Sequence, residues 1–397
     1  MIAALGRSSL VVEVERLWYR RDSADPCWHA ATGQTGAADL VLVFAARTLD
    51  VGAMLAPLRA RYPSATILGC STAGEIHQGA VADGSAAAMA MRFANTPIRV
   101  ASAPVLDDDA SFAASFAAGA SVAAQLAAPD LRAVLVFSDG LFINGSGLAR
   151  GLRDGVAPSV VVTGGLAGDG EAFTDTWVLW EDQPRRRLVT AVGLYGDAVH
   201  VRFGSRGGWD IFGPPRIVTR AEGSTLYELD GHPALALYKR YLGERANGLP
   251  AAALLFPLAI HAPEPDAPWL VRTVLGIDES MQSLRFAGDI PNGSVAQLMR
   301  ANVDHLVTGA AEAALSAAPA SGPGAVACIA ISCIGRRLVL KGRIEEELEA
   351  VLAALPSATA QVGMYAYGEL SPVGVGGCDL HNQTMTLTTI TEGPRPT

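Results

Sequence analysis

Two octapeptides near opposite ends of the chain carry one pattern. Gly69-Cys70-Ser71-Thr72-Ala73-Gly74-Glu75-Ile76 and Gly363-Met364-Tyr365-Ala366-Tyr367-Gly368-Glu369-Leu370 both read glycine, four variable residues, Gly-Glu and an aliphatic. Each closes a short apolar run, 66–68 and 360–362, and each leads through a loop into a segment of period two. Met89, Met91 and Phe93 alternate with Ala90 and Arg92, and Met385 and Leu387 alternate with threonines. That period belongs to strands. Each copy therefore predicts strand, Gly-Glu turn, strand, and the recurrence predicts a chain built from related units.

Four such units can be traced. The first runs from 40–44 through a helix capped by Asp50, with Val51, Met54, Leu55, Leu58 and Tyr62 on one face and Pro57 inside as an expected kink or break. Asp107-Asp108-Asp109 suits the start of the next helix. The second unit opens at 133–137. Ser146 is its expected helix cap, 159–162 is a strand running into Gly164-Gly165-Leu166-Ala167-Gly168-Asp169, and 176–180 with 188–195 reads as a hairpin. The glycine- and proline-rich stretch 204–215 is the best domain boundary by composition. Pro233 opens a helix that Gly243 ends. The third unit is expected to start with a strand at 253–256 and to carry a helix capped by Ser294. The fourth opens at 327–332 and holds a helix with Ile344, Leu348, Val351, Leu352 and Leu355 in one stripe. The fold class is α/β: mixed or antiparallel sheets layered with helices, in two pseudo-duplicated halves built from strand–helix–strand–turn–strand units.

Composition narrows the function. Half of the 397 residues are apolar, 17% are charged and the net charge is -9, which favours a large buried core and disfavours nucleic acid and anionic membranes as partners. Glu13, Glu15 and Arg16 interrupt the first apolar run, so no signal peptide is expected, and the apolar run 249–260 is too short to span a bilayer. The five cysteines are odd in number and hold no Cys-x-x-Cys pair, so a cytoplasmic protein without a disulfide framework is expected.

Gly69-Cys70-Ser71-Thr72-Ala73 approaches a nucleophile elbow, but strand rather than helix follows it and Tyr365 stands in the repeat where Ser71 would be, so a glycine-pinched turn is the better reading. No phosphate-cradling spacing occurs. Cys378 and His381 form a Cys-x-x-His pair, short of the four ligands of structural zinc. Glu75 and Glu369, each after glycine at the end of a buried strand, accept either backbone N–H groups or a ligand. Arg336, at the expected end of another buried strand, pairs with such a glutamate or holds a carboxylate. Cys333, three residues before Arg336, is expected to be the most readily alkylated of the cysteines.

These motifs, with Ser332-Cys333-Ile334-Gly335-Arg336, Tyr367-Gly368-Glu369-Leu370-Ser371-Pro372 and Tyr227-Glu228-Leu229-Asp230-Gly231-His232-Pro233-Ala234, resemble the FIST family from about Leu40 to Thr389. The resemblance implies an N-terminal domain over 1–219 and a C-terminal domain over 220–397. It also implies an intracellular sensory module for small ligands such as amino acids. Bacterial members feed signalling outputs, and some bind haem and sense nitric oxide; eukaryotic relatives sit in F-box ubiquitin-ligase subunits. The chain carries no kinase, cyclase or chemotaxis segment, so a separate partner protein of that kind is expected. The leading reading is a stand-alone small-molecule sensor without catalysis or cofactor, its ligand held by Ser71, Gly74, Glu75, Gly168, Asp169, Cys333, Arg336, Tyr367, Glu369 and Asn382 around one cavity. The second is a haem-based gas sensor with His381 or another histidine as axial ligand; the third, a hydrolase using Cys333 or Ser71, is the weakest.

Overall fold

The computed structural model describes residues 12–20, 27–30, 37–106, 110–264, 267–320, 325–373 and 377–393. Its helices are α1 (Val51–Arg61), α2 (Phe112–Leu126), α3 (Gly145–Gly155), α4 (Ala234–Leu242), α5 (Val303–Ala317), α6 (Ile334–Leu340) and α7 (Ile344–Ala354), set against four sheets of mixed or antiparallel strands.

Three of the sheets follow one plan. At the centre of each lies a parallel pair: Leu40–Ala46 with Thr66–Thr72, Leu131–Ser138 with Val161–Leu166, and Val326–Cys333 with Thr359–Ala366. Parallel neighbours need a crossover, and α1, α3 and the α6–α7 pair supply it. An antiparallel third strand flanks the first of each pair: Ala86–Arg92, Leu188–Tyr195 and Met385–Glu392. Outside that runs a fourth: Glu13–Arg20, Ile98–Pro104 and Val199–Arg206.

The short strand that leaves each parallel pair crosses into another unit. Glu75–His77 of the first unit pairs with Thr359–Ala366 of the third, Gly368–Ser371 of the third with Val161–Leu166 of the second, and Val178–Trp180 of the second with Thr66–Thr72 of the first. The exchange is cyclic, so no unit completes its sheet alone. The inner faces of the three sheets share one core containing Phe44, Met89, Phe137, Val192, Ile329 and Met364, with Phe44 and Phe137 edge to face at 5.5 Å. The outer faces are covered by α1, by α2 with α3, and by α5 with α7.

The glycine pattern has a steric cause. Gly69, Gly164 and Gly363 lie opposite Val43, Val136 and Ala330 in the parallel pairs. A Cβ on any of them would sit 1.8 Å from the facing carbonyl oxygen, a separation only glycine avoids.

Asp50 caps α1 through the Ala53 N–H, Pro57 sits inside that helix without ending it, and Gly243, at φ +59°, closes α4. Several local expectations are corrected. Asn144, not Ser146, caps α3. Val178–Trp180 turns back on Gln183–Arg185, while Leu188–Tyr195 stays in its own unit's sheet. The expected capping run 107–109 lies outside the described residues, and Ser111 caps α2.

The largest correction concerns the expected third unit. After Arg206 the chain enters a fourth sheet of its own, returning to the core at α5. There Ala251–Leu255 is a 3-10 segment rather than a strand, and Val295–Arg300 is a strand rather than a helix capped by Ser294. The apolar spacing of that segment fits both periods. Pairing along both edges, with Leu258–His261 and Arg216–Glu222, selects the strand that buries Ala296 and Leu298. α5 begins later, capped by Asn302.

Candidate functional site

The turns that end the second strand of each unit interlock. Ser71 N donates to Trp177 O (2.9 Å), Trp177 N donates to Ser71 Oγ (3.1 Å) and Gly168 N donates to Ser71 O (3.0 Å), joining the first and second units. Ala73 N and Tyr365 O, then Tyr365 N and Gly74 O, join the first and third at 2.8 Å each. Tyr367 hydroxyl donates to Asp169, and Asp169 N donates back to that hydroxyl at 3.2 Å, joining the third and second. Phe173 stacks on Tyr367 at 4.4 Å. Asp169 also accepts from the N–H groups of Phe173, Thr174 and Asp175. Burial opposes its ionisation, but Tyr367 and these backbone donors hold its pKa below the usual carboxylate value. Ser71, Gly168, Asp169 and Tyr367 thus spend their polar groups on holding the units together.

The two adjacent arginines diverge because the strand ends at Cys333 and α6 starts at Ile334, which sends successive side chains to different sides. Arg336 is fully buried, and its partner is Glu347 of α7 (2.7 and 3.1 Å), not Glu369. The carbonyls of Gly207 and Leu306 take its other donors. Tyr365 and Ser332 hydroxyls donate to the same Glu347 at 2.7 and 3.1 Å. Arg336 therefore has no free donor for a ligand, correcting the role expected of it. Arg337 turns outward instead. It donates to Ala73 O (2.5 Å) and pairs with both oxygens of Asp83 (2.7 and 2.6 Å). With Asp83, Gly170, Glu171 and Lys341 it lines a cleft of about 610 Å³ at the three-unit junction.

Glu75 and Glu369 occupy equivalent registers. Glu75 lies opposite Met364 and Glu369 opposite Gly165, each one residue after the pinching glycine of the neighbouring unit. Each carboxylate reaches the residue just before its own unit's third strand. Glu75 Oε2 accepts from Ser85 N (3.0 Å) and Oγ (2.8 Å); Glu369 Oε2 accepts from Thr384 N (3.2 Å) and Oγ1 (2.8 Å). In the second unit Val178 holds that register, and the corresponding carboxylate comes from Asp139, which accepts from Arg187 N at 2.8 Å.

The other oxygen separates them. Glu75 Oε1 accepts from Thr72 Oγ1. The residue in the Thr72 position of the third unit is Ala366, and Glu369 Oε1 is buried with no partner. Burial raises both carboxyls against the pull of their hydroxyl and amide donors and, for Glu369, of the Arg336 charge and the neighbouring Cys333 thiol: Glu75 to about 7 and Glu369 to about 8.

Glu369 Oε1 has company. Ser371 Oγ, Asn382 Oδ1 and Gln383 Oε1 are also buried without a partner. Ser371 shares the sheet face of Glu369, and Asn382 and Gln383 immediately precede Thr384. The amide nitrogens of Asn382 and Gln383 donate to His381 O (3.0 Å) and Leu254 O (3.4 Å), which leaves their oxygens as the free ends. Nearby Arg272 of the fourth sheet is buried. It donates to the carbonyls of Leu380 (2.9 Å) and Asp289 (3.3 Å) and has no carboxylate within 4.0 Å among the described residues. Burial lowers its pKa to about 10.

Cys333 lies beside this group but is 4% exposed, and burial pushes its thiol up, with the Glu369 charge adding to the effect. That overturns its expected reactivity: Arg336 is neutralised by Glu347, and the thiolate has no solvent. Cys27 is the one partly exposed cysteine among the described residues. His381 is also buried. Its Nε2 donates to Ser371 O (3.0 Å), and burial lowers its pKa to about 4. An axial haem bond through Nε2 would have to replace that hydrogen bond.

The structure thus brings Gly74, Gly168, Asp169 and Tyr367 to one junction with Ser71. It places Glu369, Asn382, Cys333 and His381 in a second group, and Glu75 and Arg336 in two closed networks. Glu347 and Arg272 were missed. Glu347 had a signal, since it stands within the apolar stripe of Ile344, Leu348 and Val351 at helical spacing. Arg272 had none.

A family model described as the FIST N domain matches residues 39–232, and one described as the FIST C domain matches residues 234–372. No curated protein matches the chain. Among solved structures, a crystal structure of a chorismatase is similar over 96% of this chain and 99% of that one, at 11% identity and a TM-score of 0.36, a likeness too loose to bear on activity. No helix among the described residues is long and apolar enough to cross a membrane.

Proposed function

We propose that this chain, which belongs to the FIST family, binds a small polar molecule at Glu369 and reports it to a separate signalling protein. FIST domains are associated with sensing in signal transduction. The observation that carries the finer reading is the unpartnered Oε1 of Glu369; Ser371, on the same sheet face, and Asn382 and Gln383, which precede its partner Thr384, also hold buried oxygens without a partner. Buried polar groups are normally hydrogen-bonded, and one left without a partner costs about 1–3 kcal/mol. A ligand that supplies the missing partners recovers that free energy.

The chemistry of the free ends narrows the ligand. Two are amide oxygens and one is a carboxyl oxygen, so the group that meets them carries N–H donors. The ammonium of an amino acid or of a related amine has that character. Its positive charge would draw the Glu369 pKa down from about 8, releasing a proton on binding near neutral pH. Arg272, buried near Asp379 and Asp289 but with no carboxylate within 4.0 Å among the described residues, would receive a carboxylate on the same molecule.

Catalysis forms no part of the reading. The Ser71 hydroxyl accepts from Trp177 N, and burial disfavours the Cys333 thiolate. The test is a thermal-shift panel of amino acids and small amines. A hit should stabilise the wild type and lose its effect in Glu369→Gln. A hit that stabilises both equally would place the ligand elsewhere.

A further inference from the structure

We infer that the fourth sheet carries a second binding site, for a flat molecule bearing an anionic group, in the cleft between Arg245 and Arg300. The cleft encloses about 440 Å³, within the range of small-molecule sites. It forms where Asp210–Ile211 pairs with the end of Val295–Arg300, beside the 3-10 segments Gly243–Gly248 and Ala251–Leu255.

Both of its cations stand over rings, and among the described residues only Arg300 also has a carboxylate, that of Asp210, at 4.0 Å. The Arg245 guanidinium stands 5.7 Å over Phe256 and that of Arg300 5.7 Å over Phe212. The rings themselves are 6.0 Å apart. Stacking on a ring face fixes a guanidinium plane but leaves its edge donors free.

The acid side is weaker. Asp210 lines the cleft, and its carboxylate is already engaged by His305 Nδ1 (2.6 Å), Asn302 Nδ2 (3.5 Å) and, at 4.0 Å, Arg300. Arg245 has no carboxylate within 4.0 Å among the described residues. One cation is therefore unspent, in a chain whose net charge is -9.

Phe212 and Leu255 remain 37% and 41% exposed at the same place. They offer an apolar wall that a ring would cover while its oxyanion met Arg245 and Arg300. A carboxylate and a phosphate share this chemistry. The site is independent of Glu369, although Leu254, next to Leu255, accepts from Gln383 of that group.

Benzoate and phenyl phosphate are the probes, titrated into the full chain by saturation-transfer NMR and calorimetry. At least one should bind at about 10 mM or below, with acetate, inorganic phosphate and neutral benzyl alcohol each about tenfold weaker. Arg245→Gln and Phe212→Ala, both folded by circular dichroism, should each weaken the aryl anion about tenfold. The stronger probe identifies the anion. No binding of either aryl anion, equal binding of benzyl alcohol, or unchanged affinity in both variants overturns the assignment.

Discussion

Glu75 and Glu369 are the same residue in two copies of one unit. They share a register, a partner just before the third strand, and near-complete burial. They differ by one hydroxyl. Thr72 closes the hydrogen-bond shell of Glu75, and Ala366 leaves that of Glu369 open. The difference teaches that a repeat motif can close the hydrogen-bond shell of its glutamate in one copy and leave it open in another, and that the residue three positions earlier decides which.

The widest gap is expected in stability. Glu75→Ala strands the donors of Ser85 and Thr72 in the core and should cost about 2–3 kcal/mol. Glu369→Ala strands the donors of Thr384 but also removes an unpartnered oxygen, so its cost should be about 1 kcal/mol smaller. Urea unfolding at neutral pH measures both. Equal losses would break the comparison.

The pH dependence sharpens it. Both carboxyls titrate higher in the folded protein than in the unfolded chain, so the folded state holds protons that the unfolded state has released. The stability they confer is full below the unfolded pKa and is lost as pH rises through the folded one, near 7 for Glu75 and near 8 for Glu369. Between pH 7 and 8 the wild type should lose stability with a contribution from Glu369 of about 1 kcal/mol per pH unit. Glu369→Gln should flatten that interval, and Glu75→Gln should flatten only the interval below it. A wild-type curve that Glu369→Gln leaves unchanged would contradict the open shell.

Exchanging the deciding residue is a smaller, more specific perturbation. Thr72→Ala should cost about 1 kcal/mol and leave Glu75 like Glu369. Ala366→Thr should offer Glu369 Oε1 an internal partner and weaken ligand binding. Its effect on stability should stay within about 1 kcal/mol, the new hydrogen bond being set against the added volume. Unchanged ligand affinity in Ala366→Thr would mean that the free oxygen is not the contact.

The smallest effect is chemical. Limited iodoacetamide labelling followed by peptide mass spectrometry should modify Cys27 first and leave Cys333 among the slow cysteines, because only Cys27 reaches solvent. Early labelling of Cys333 would mean that the Glu369 group opens to water.

The sequence made the Gly-Glu turns legible because their cause is steric and local: Gly69 and Gly363 face a carbonyl too close for any Cβ. The equivalent Gly164 is less legible, since its turn runs through 167–177 before the strand Val178–Trp180 begins. The sequence of Val295–Arg300 fits either period, because its partners, Leu258–His261 and Arg216–Glu222, are remote in sequence and alone decide between helix and strand. The site was half legible for the same reason. Glu369 and Asn382 stand out beside turns, but whether an arginine reaches a glutamate depends on a helix start. Beginning α6 at Ile334 sends Arg336 to Glu347 and Arg337 to Asp83. The open shell of Glu369 follows from Ala366, whose meaning appears only against Thr72.

The central claim is that Glu369 holds a ligand and Glu75 does not. Native mass spectrometry of the protein purified from its own host, as wild type, Glu75→Gln and Glu369→Gln, tests it most directly. The account predicts one noncovalent added mass on the wild type and on Glu75→Gln, and none on Glu369→Gln. The same added mass on Glu369→Gln, or its loss from Glu75→Gln alone, would contradict it.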